Sequence, residues 1–383
     1  MKAIVGATIL TPEQTIPKGV IIFDEGKILE VGKDLKIPEK AEIVEAEGKY
    51  ISPGLVDGHS HIGMTTEGLD WEYGDANDFY SPLTPHLRAI DAVNLFDPGF
   101  KDALEGGVTT VYTGPGSANV IGGIGVILKT FGKTPEEMIV NDFASVKMAT
   151  GAKRKREMKS KLPYPTTKMG TIALLRSMLQ NAKRYMEGKL KTEKIVGEEE
   201  IAYQALSRVL RREIPARIHT SLDPDEILAV INIAKEFNIK VTIDHGFGSQ
   251  IVAEKLAEAN IPVISGPLMI ARLSQMYKYV SDEIPAILSS KGVKTSIMTD
   301  HPVIAEKYLR ISAIVAVING MNRKEALKAI TINPAEAIGI GDKVGSLEPG
   351  KDADIVVFSD DPLKVKSKVE MVFLKGEKVY EAI

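Results

Sequence analysis

The sequence predicts an α/β fold: a (β/α)8 TIM barrel with a small discontinuous β-sandwich domain formed by the two chain ends. Three observations carry that expectation. Short β-rich runs crowd both ends of the chain, apolar runs of strand character alternate with helical patterns between them, and the strand-like runs of the middle number eight.

Residues 1–51 contain "AIVGATIL", "GVIIFDEGKILEVG" and "AEIVEAEGKYI", with a turn at Asp24 to Gly26 and no helical period. The opening "MKAIVGATIL" is apolar but lacks a small-residue cleavage pattern and runs straight into these strands, so it reads as folded structure. The far end repeats the pattern in "VGSLEPGKDADIVVFSDDP" and "VEMVFLKGEKVYEAI", with turns at Pro349, Gly350, Asp361 and Pro362. Neither end has enough core to stand alone. Residues 1–51 plus 343–383 are therefore expected to form one composite β-domain and residues 52–342 the barrel. The barrel strands are "GLVDGHSH", "GVTTVYTG", "GIGVILKT", "FASVKMATG", "ARIHT", "KVTIDHG", "IPVISG" and "VKTSIMTD", expected to lie parallel with helical crossovers. After the fifth, Asp223 as N-cap, Pro224 as first helical residue and Glu226 completing a capping box announce a helix.

Composition narrows the function. The chain has 383 residues and a formal net charge of −3, which gives no electrostatic footprint for nucleic acid or an anionic membrane. No apolar run reaches the ~18 residues of a membrane helix. A soluble, cytoplasmic protein with a small-molecule partner is expected, with homo-oligomerisation left open. Because there are no cysteines, disulfides, thiolate metal sites and a cysteine nucleophile are excluded.

In a barrel of this type the active site lies at the carboxyl ends of the strands. Four of the six histidines fall there: His59 and His61 at the end of the first strand, His219 at the fifth and His245 at the sixth. Lys147 sits late in the fourth strand and Asp300 ends the eighth. Residues two apart on a strand face the same side, so His59 and His61 can converge on one ion. Imidazole and carboxylate ligands suit zinc, manganese or iron-type ions. His86 has no strand context and His301 points away from Asp300, so neither is counted as a ligand.

With this ordered set the chain resembles the amidohydrolase superfamily, specifically the metal-dependent hydrolases related to imidazolonepropionase, from "GLVDGHSH" through "TDHP" to "GSLEPGKDADIVV". The resemblance implies divalent metal, zinc first, as two ions. His59, His61 and Asp300 would hold the first, His219 and His245 the second, with Lys147 carboxylated by CO2 as the bridge. A carbamate supplies two anionic oxygens able to span ions about 3.5–4 Å apart, whereas an ammonium would repel them. Metal lowers the pKa of water from about 15.7 towards 7, and Asp300 would act as general base and then acid in hydroxide attack on a C–N bond. The bond expected is an amide, a cyclic amide or a peptide-like bond, not an ordinary internal peptide bond.

Two patches bear on substrate. The glycine-rich "GPGSANVIGGIGVILKT" lacks the order of a dinucleotide site and reads as a substrate-lining loop, in which Ser117 and Asn119 either contact substrate or simply turn the chain. The basic "GAKRKREMKSK" follows Lys147, so Lys153, Arg154 and Arg156 either hold an anionic substrate group or form a solvated face. Two alternatives stand against the leading function. One is a mononuclear aminohydrolase (deaminase), which usually places glutamate three residues after the fifth-strand histidine, where this chain has Leu222. The other is a non-catalytic barrel binding protein, which the full set of ligand positions disfavours.

Overall fold

The computed structural model describes residues 1–382 except 69–73, 152–164, 166, 191–196, 221, 222 and 273–277. Both chain ends enter one eight-stranded sheet. Its strands are β1 (Lys2–Leu10), β2 (Thr15–Asp24), β3 (Lys27–Gly32), β4 (Glu42–Glu45), β5 (Tyr50–Pro53), β14 (Ile355–Phe358), β15 (Val369–Leu374) and β16 (Glu377–Glu381). The order is β16-β15-β14-β5-β1-β2-β3, with β4 also paired to β1. The β2–β3 hairpin turns through Glu25 and Gly26 at φ 47° and 79°, the left-handed pair that matches strand twist. The pairing is continuous, and the sheet folds over on itself. Phe23 of β2 meets Phe373 of β15 edge to face at 5.8 Å, in a core shared with Ile4, Ile21, Ile51 and Val357.

The second sheet is the barrel: β6 (Leu55–Ser60), β7 (Val108–Thr113), β8 (Ile121–Lys129), β9 (Ile139–Ala149), β10 (Ala216–Thr220), β11 (Val241–His245), β12 (Val263–Ser265) and β13 (Thr295–Ile297), in sequential order. Helices alternate with strands except between β7 and β8, and the sheet closes into a (β/α)8 TIM-type barrel. At the carboxyl rim the chain just past β13 bonds back to β6, Asp300 N–H to the His59 carbonyl at 3.3 Å and His61 N–H to the His301 carbonyl at 3.0 Å. Asp57 reinforces this seam by accepting from the Thr299 N–H at 2.9 Å and hydroxyl at 2.7 Å.

The expectation of parallel strands throughout is corrected at one place. The third barrel strand, β8, runs antiparallel to both β7 and β9. Only residues 114–120 separate β7 from β8, too few for the dozen or more a parallel crossover needs. The capping box is corrected as well. Asp223 does precede the helix Pro224–Phe237, but its side chain makes no cap hydrogen bond. Its carboxylate is drawn to Lys168 at 2.8 Å and Lys278 at 2.7 Å, and Glu226 turns inward to accept from the Thr150 hydroxyl at 3.3 Å.

Lys129, at the end of β8, is fully buried between the two sheets and bonds Asp354, with Asp352 3.3 Å away and the Thr110 hydroxyl at 3.4 Å. Removing one member of a buried pair strands the other's charge. Lys129→Ala is expected to cost about 3–5 kcal/mol in urea denaturation, and a loss under 1 kcal/mol (~0.5 or so being the usual surface value) would show the pair to be solvated.

Candidate metal centre

The sequence "LVDGHS" forms β6 because its β-branched and apolar residues fill a strand buried on both faces. His59 thus points into the barrel mouth, and His61 follows on the same side just past the strand. Their rings lie 5.3 Å apart, His59 and His245 5.1 Å, and His219 and His245 4.1 Å. Asp300 enters from beyond β13, its Oδ1 3.2 Å from His59 Nε2 and 3.5 Å from His61 Nε2. His59, His245 and Asp300 each present a potential ligand atom, all within 4.8 Å of one another.

The outward nitrogens decide what those inward atoms are. His61 Nδ1 lies 2.7 Å from the Gly114 carbonyl, His245 Nδ1 3.0 Å from the Gly266 carbonyl and His59 Nδ1 3.0 Å from Asp244 Oδ2. The two carbonyls only accept, so Nδ1 of His61 and of His245 carries the proton and Nε2 keeps a lone pair, and the Asp244 carboxylate favours the same tautomer at His59. His59 Nε2 is buried and makes no hydrogen bond with the described residues. A lone pair facing a carboxylate oxygen across 3.2 Å is an arrangement that a cation satisfies, and the donor set fits a divalent ion.

The charge states agree. Burial pushes His61 down to about 4 and His245 to about 3, so both rings are neutral at neutral pH. Burial alone would raise the Asp300 carboxyl, but the surrounding His245, His59 and His61 overcome it and hold the group below the ordinary carboxylate range.

Two of the candidate ligand positions are bent out of regular strand geometry. His245 has φ 67° and Asp300 φ 53°, left-handed values that are unfavourable for residues with a Cβ. At His245 the consequence is direct. Neighbours on a regular strand face opposite sides, yet here Asp244 and His245 both turn toward the centre.

Asp244 is a residue that the sequence reading misses. It is fully buried and accepts from Lys147 Nζ at 2.7 Å on the oxygen that faces His59, while Arg217 grips its other oxygen at 2.5 Å. Burial alone would raise its pKa, but Arg217, Lys147 and His59 hold it well below the usual value. Lys147 is itself buried, which lowers its pKa against the opposing pull of Asp244, and its amine lies 3.4 Å from His59 Nδ1. Arg217 is also missed, although it sits two residues before His219 and therefore faces the same side. That spacing was the available signal.

The remaining candidates divide. Asn119 uses its amide nitrogen on the Asp78 carbonyl at 2.8 Å, the Ser81 carbonyl at 3.0 Å and the Thr84 hydroxyl at 2.9 Å, pinning the neighbouring loop. Ser117 is buried in the same loop. Lys153, Arg154 and Arg156, like Leu222, lie outside the described residues. His86 bonds the Tyr80 hydroxyl at 2.7 Å. His301 is buried and accepts from the Glu306 N–H at 3.3 Å.

With this geometry established, comparison places the chain among known proteins. Residues 50–379 match the Amidohydrolase family. A crystal structure of an amidohydrolase from Thermotoga maritima MSB8 is 39% identical, superposes with a TM-score of 0.93 and covers all of both chains. Amidohydrolase tasK of Hapsidospora irregularis is 27% identical over 94% of this chain, which spans only 39% of that protein's length. The imidazolonepropionase of Thermoplasma acidophilum is 25% identical over 93% of this chain and 85% of its own. An adenine deaminase of Lysinibacillus sphaericus is 25% identical over 95% of this chain and 55% of its own.

Proposed function

This chain belongs to the amidohydrolase family, and we propose that it is a metal-dependent hydrolase of a C–N bond in a small amide, cyclic amide or peptide-like substrate. One observation carries the reading: three imidazole Nε2 lone pairs, those of His59, His61 and His245, are oriented by hydrogen bonds at the opposite nitrogen, and those of His59 and His61 face the Asp300 carboxylate. The two sheets share no strand, which supports treating residues 1–51 with 343–383 as one unit and 52–342 as the barrel.

In this reading His59, His61 and Asp300 would hold one ion and His219 and His245 a second, with Lys147, carboxylated, as a shared anionic ligand. When bound, divalent zinc or a similar ion supplies Lewis acidity, polarising a carbonyl and making water a better nucleophile. The protein's own groups do the rest. Asp300, 14% exposed, can be reached by substrate and solvent, takes the proton of the attacking water at its carboxylate and returns it to the departing nitrogen. The neutral His61 and His245 rings offer it no competing proton at neutral pH.

His59→Ala and His219→Ala are expected to differ in kind. The first removes the buried ligand held by Asp244 and should empty the first site, whereas the second should mainly weaken the other ion. Metal-to-protein ratios from elemental analysis check this, and unchanged ratios in both variants would remove the two-site assignment. A second reading, the mononuclear aminohydrolase, draws on the Lys147–Asp244 ion pair, which gives an unmodified lysine a task. Assay of cyclic amides, dipeptides and aminopurines side by side separates the two: release of ammonia from the aminopurines alone would favour the deaminase.

A further inference from the structure

We infer that Arg217 is a positioning residue that selects the metal-binding tautomer of His59 by aiming Asp244 at its Nδ1. The inference rests on the metal-centre reading above and adds how the first ligand is prepared.

Arg217 is fully buried in the barrel interior. Its Nη2 and Nε donate to Asp244 Oδ1 at 2.5 and 3.2 Å, and Nη1 donates to the Gly58 carbonyl at 2.5 Å. The guanidinium also lies 3.9 Å from the centroid of the Tyr112 ring, whose hydroxyl is held by Ser145 at 2.8 Å. The planar fork is thus stacked on one side and tied at its edge to two acceptors. One is Asp244; the other is the backbone immediately before His59.

The consequence follows from who surrounds His59 Nδ1. Lys147 Nζ at 3.4 Å and Arg217 Nη2 at 3.3 Å are donors that would favour a bare Nδ1 and put the proton on Nε2. That tautomer points N–H at Asp300 and cannot ligate a metal. Asp244 Oδ2 at 3.0 Å is the acceptor that favours the opposite tautomer, with the lone pair on Nε2. With Oδ1 engaged by the Arg217 fork, Oδ2 is left directed at His59. A lysine in place of Arg217 could keep the charge but not both contacts, because an ammonium lacks the rigid fork.

The test uses the full chain with 15N-labelled histidine. Long-range proton–nitrogen NMR of metal-free protein reads the tautomer of His59, assigned by loss of its signals in His59→Gln, and zinc titration against a competing chelator reads affinity. Wild type is expected to show His59 protonated at Nδ1 alone. Arg217→Met should mix the tautomers and weaken the tightest zinc site by about 10–100-fold, the usual effect of losing a ligand's supporting partner. Arg217→Lys should recover only part. If Arg217 acts through Asp244, adding Arg217→Met to Asp244→Leu should change neither readout further. The double variant removes the Arg217 and Asp244 charges together and leaves Lys147 as the cation beside His59, so the tautomer can still be read should Arg217→Met alone fail to fold. An unchanged His59 tautomer in Arg217→Met, or additive losses in the double variant, would overturn the inference. Absence of zinc binding in wild type would overturn the metal reading instead, and the tautomer would still report on Arg217.

Discussion

Asp300→Asn is expected to lower turnover by about 10³-fold, within the range that a positioned proton-transfer group contributes, while the protein stays folded and keeps part of its metal. The amide retains an oxygen where the carboxylate had one, so the contacts near His59 and His61 persist in shape, but it cannot accept and return a proton at neutral pH. The backbone of Asp300 is tied to the His59 carbonyl independently of the side chain, which is why the scaffold should survive. Turnover measured at matched metal loading checks this. A rate near that of wild type would take Asp300 out of the proton transfer.

Lys147→Ala should have the next largest effect, loss of at least one ion per chain and of activity in proportion. In the proposed two-ion site, four histidines and Asp300 would leave the ions short of negative charge, and a carbamate on Lys147 would supply what is missing. The carbamate would form from a neutral amine and CO2 with release of a proton, whereas the unmodified amine pairs with Asp244. Reactivation of metal-free wild type should therefore need bicarbonate as well as metal. In the variant, a small carboxylic acid in the buffer should occupy the vacated space and restore part of both metal and rate. Asp244 keeps Arg217 and His59 as partners in Lys147→Ala, so folding should be retained. Reconstitution indifferent to bicarbonate, with one ion in wild type, would return Lys147 to its ion pair and favour the mononuclear reading.

The parts of this site that the sequence discloses are those that obey strand periodicity. His59 and His61, two apart at the end of an apolar run, face one side as alternation requires, and Arg217 and His219 repeat the spacing. Arg217 passes unnoticed because a fully buried arginine is rare and nothing local announces its partner. Asp244 is hidden for a different reason. Alternation assigns it to the face opposite His245, and only the left-handed backbone at His245 brings both inward. The same limit applies to the fold. The eight barrel strands are visible as apolar runs, but the direction of β8 depends on loop length rather than on composition, and its sequence reads equally well either way. The end sheet is legible from its turns, whereas Lys129, which fastens it to the barrel through Asp354, looks like any other lysine until both ends of the chain are brought together.

The central claim is that the histidine cluster at the barrel mouth exists to hold metal for hydrolysis. The most direct measurement is the metal content per chain of wild-type protein purified without chelator, by plasma mass spectrometry, with His59→Ala alongside. The account predicts two divalent ions per wild-type chain and a clear loss in the variant. A wild-type chain that carries no ion, and takes up none on dialysis against zinc with bicarbonate, would contradict it.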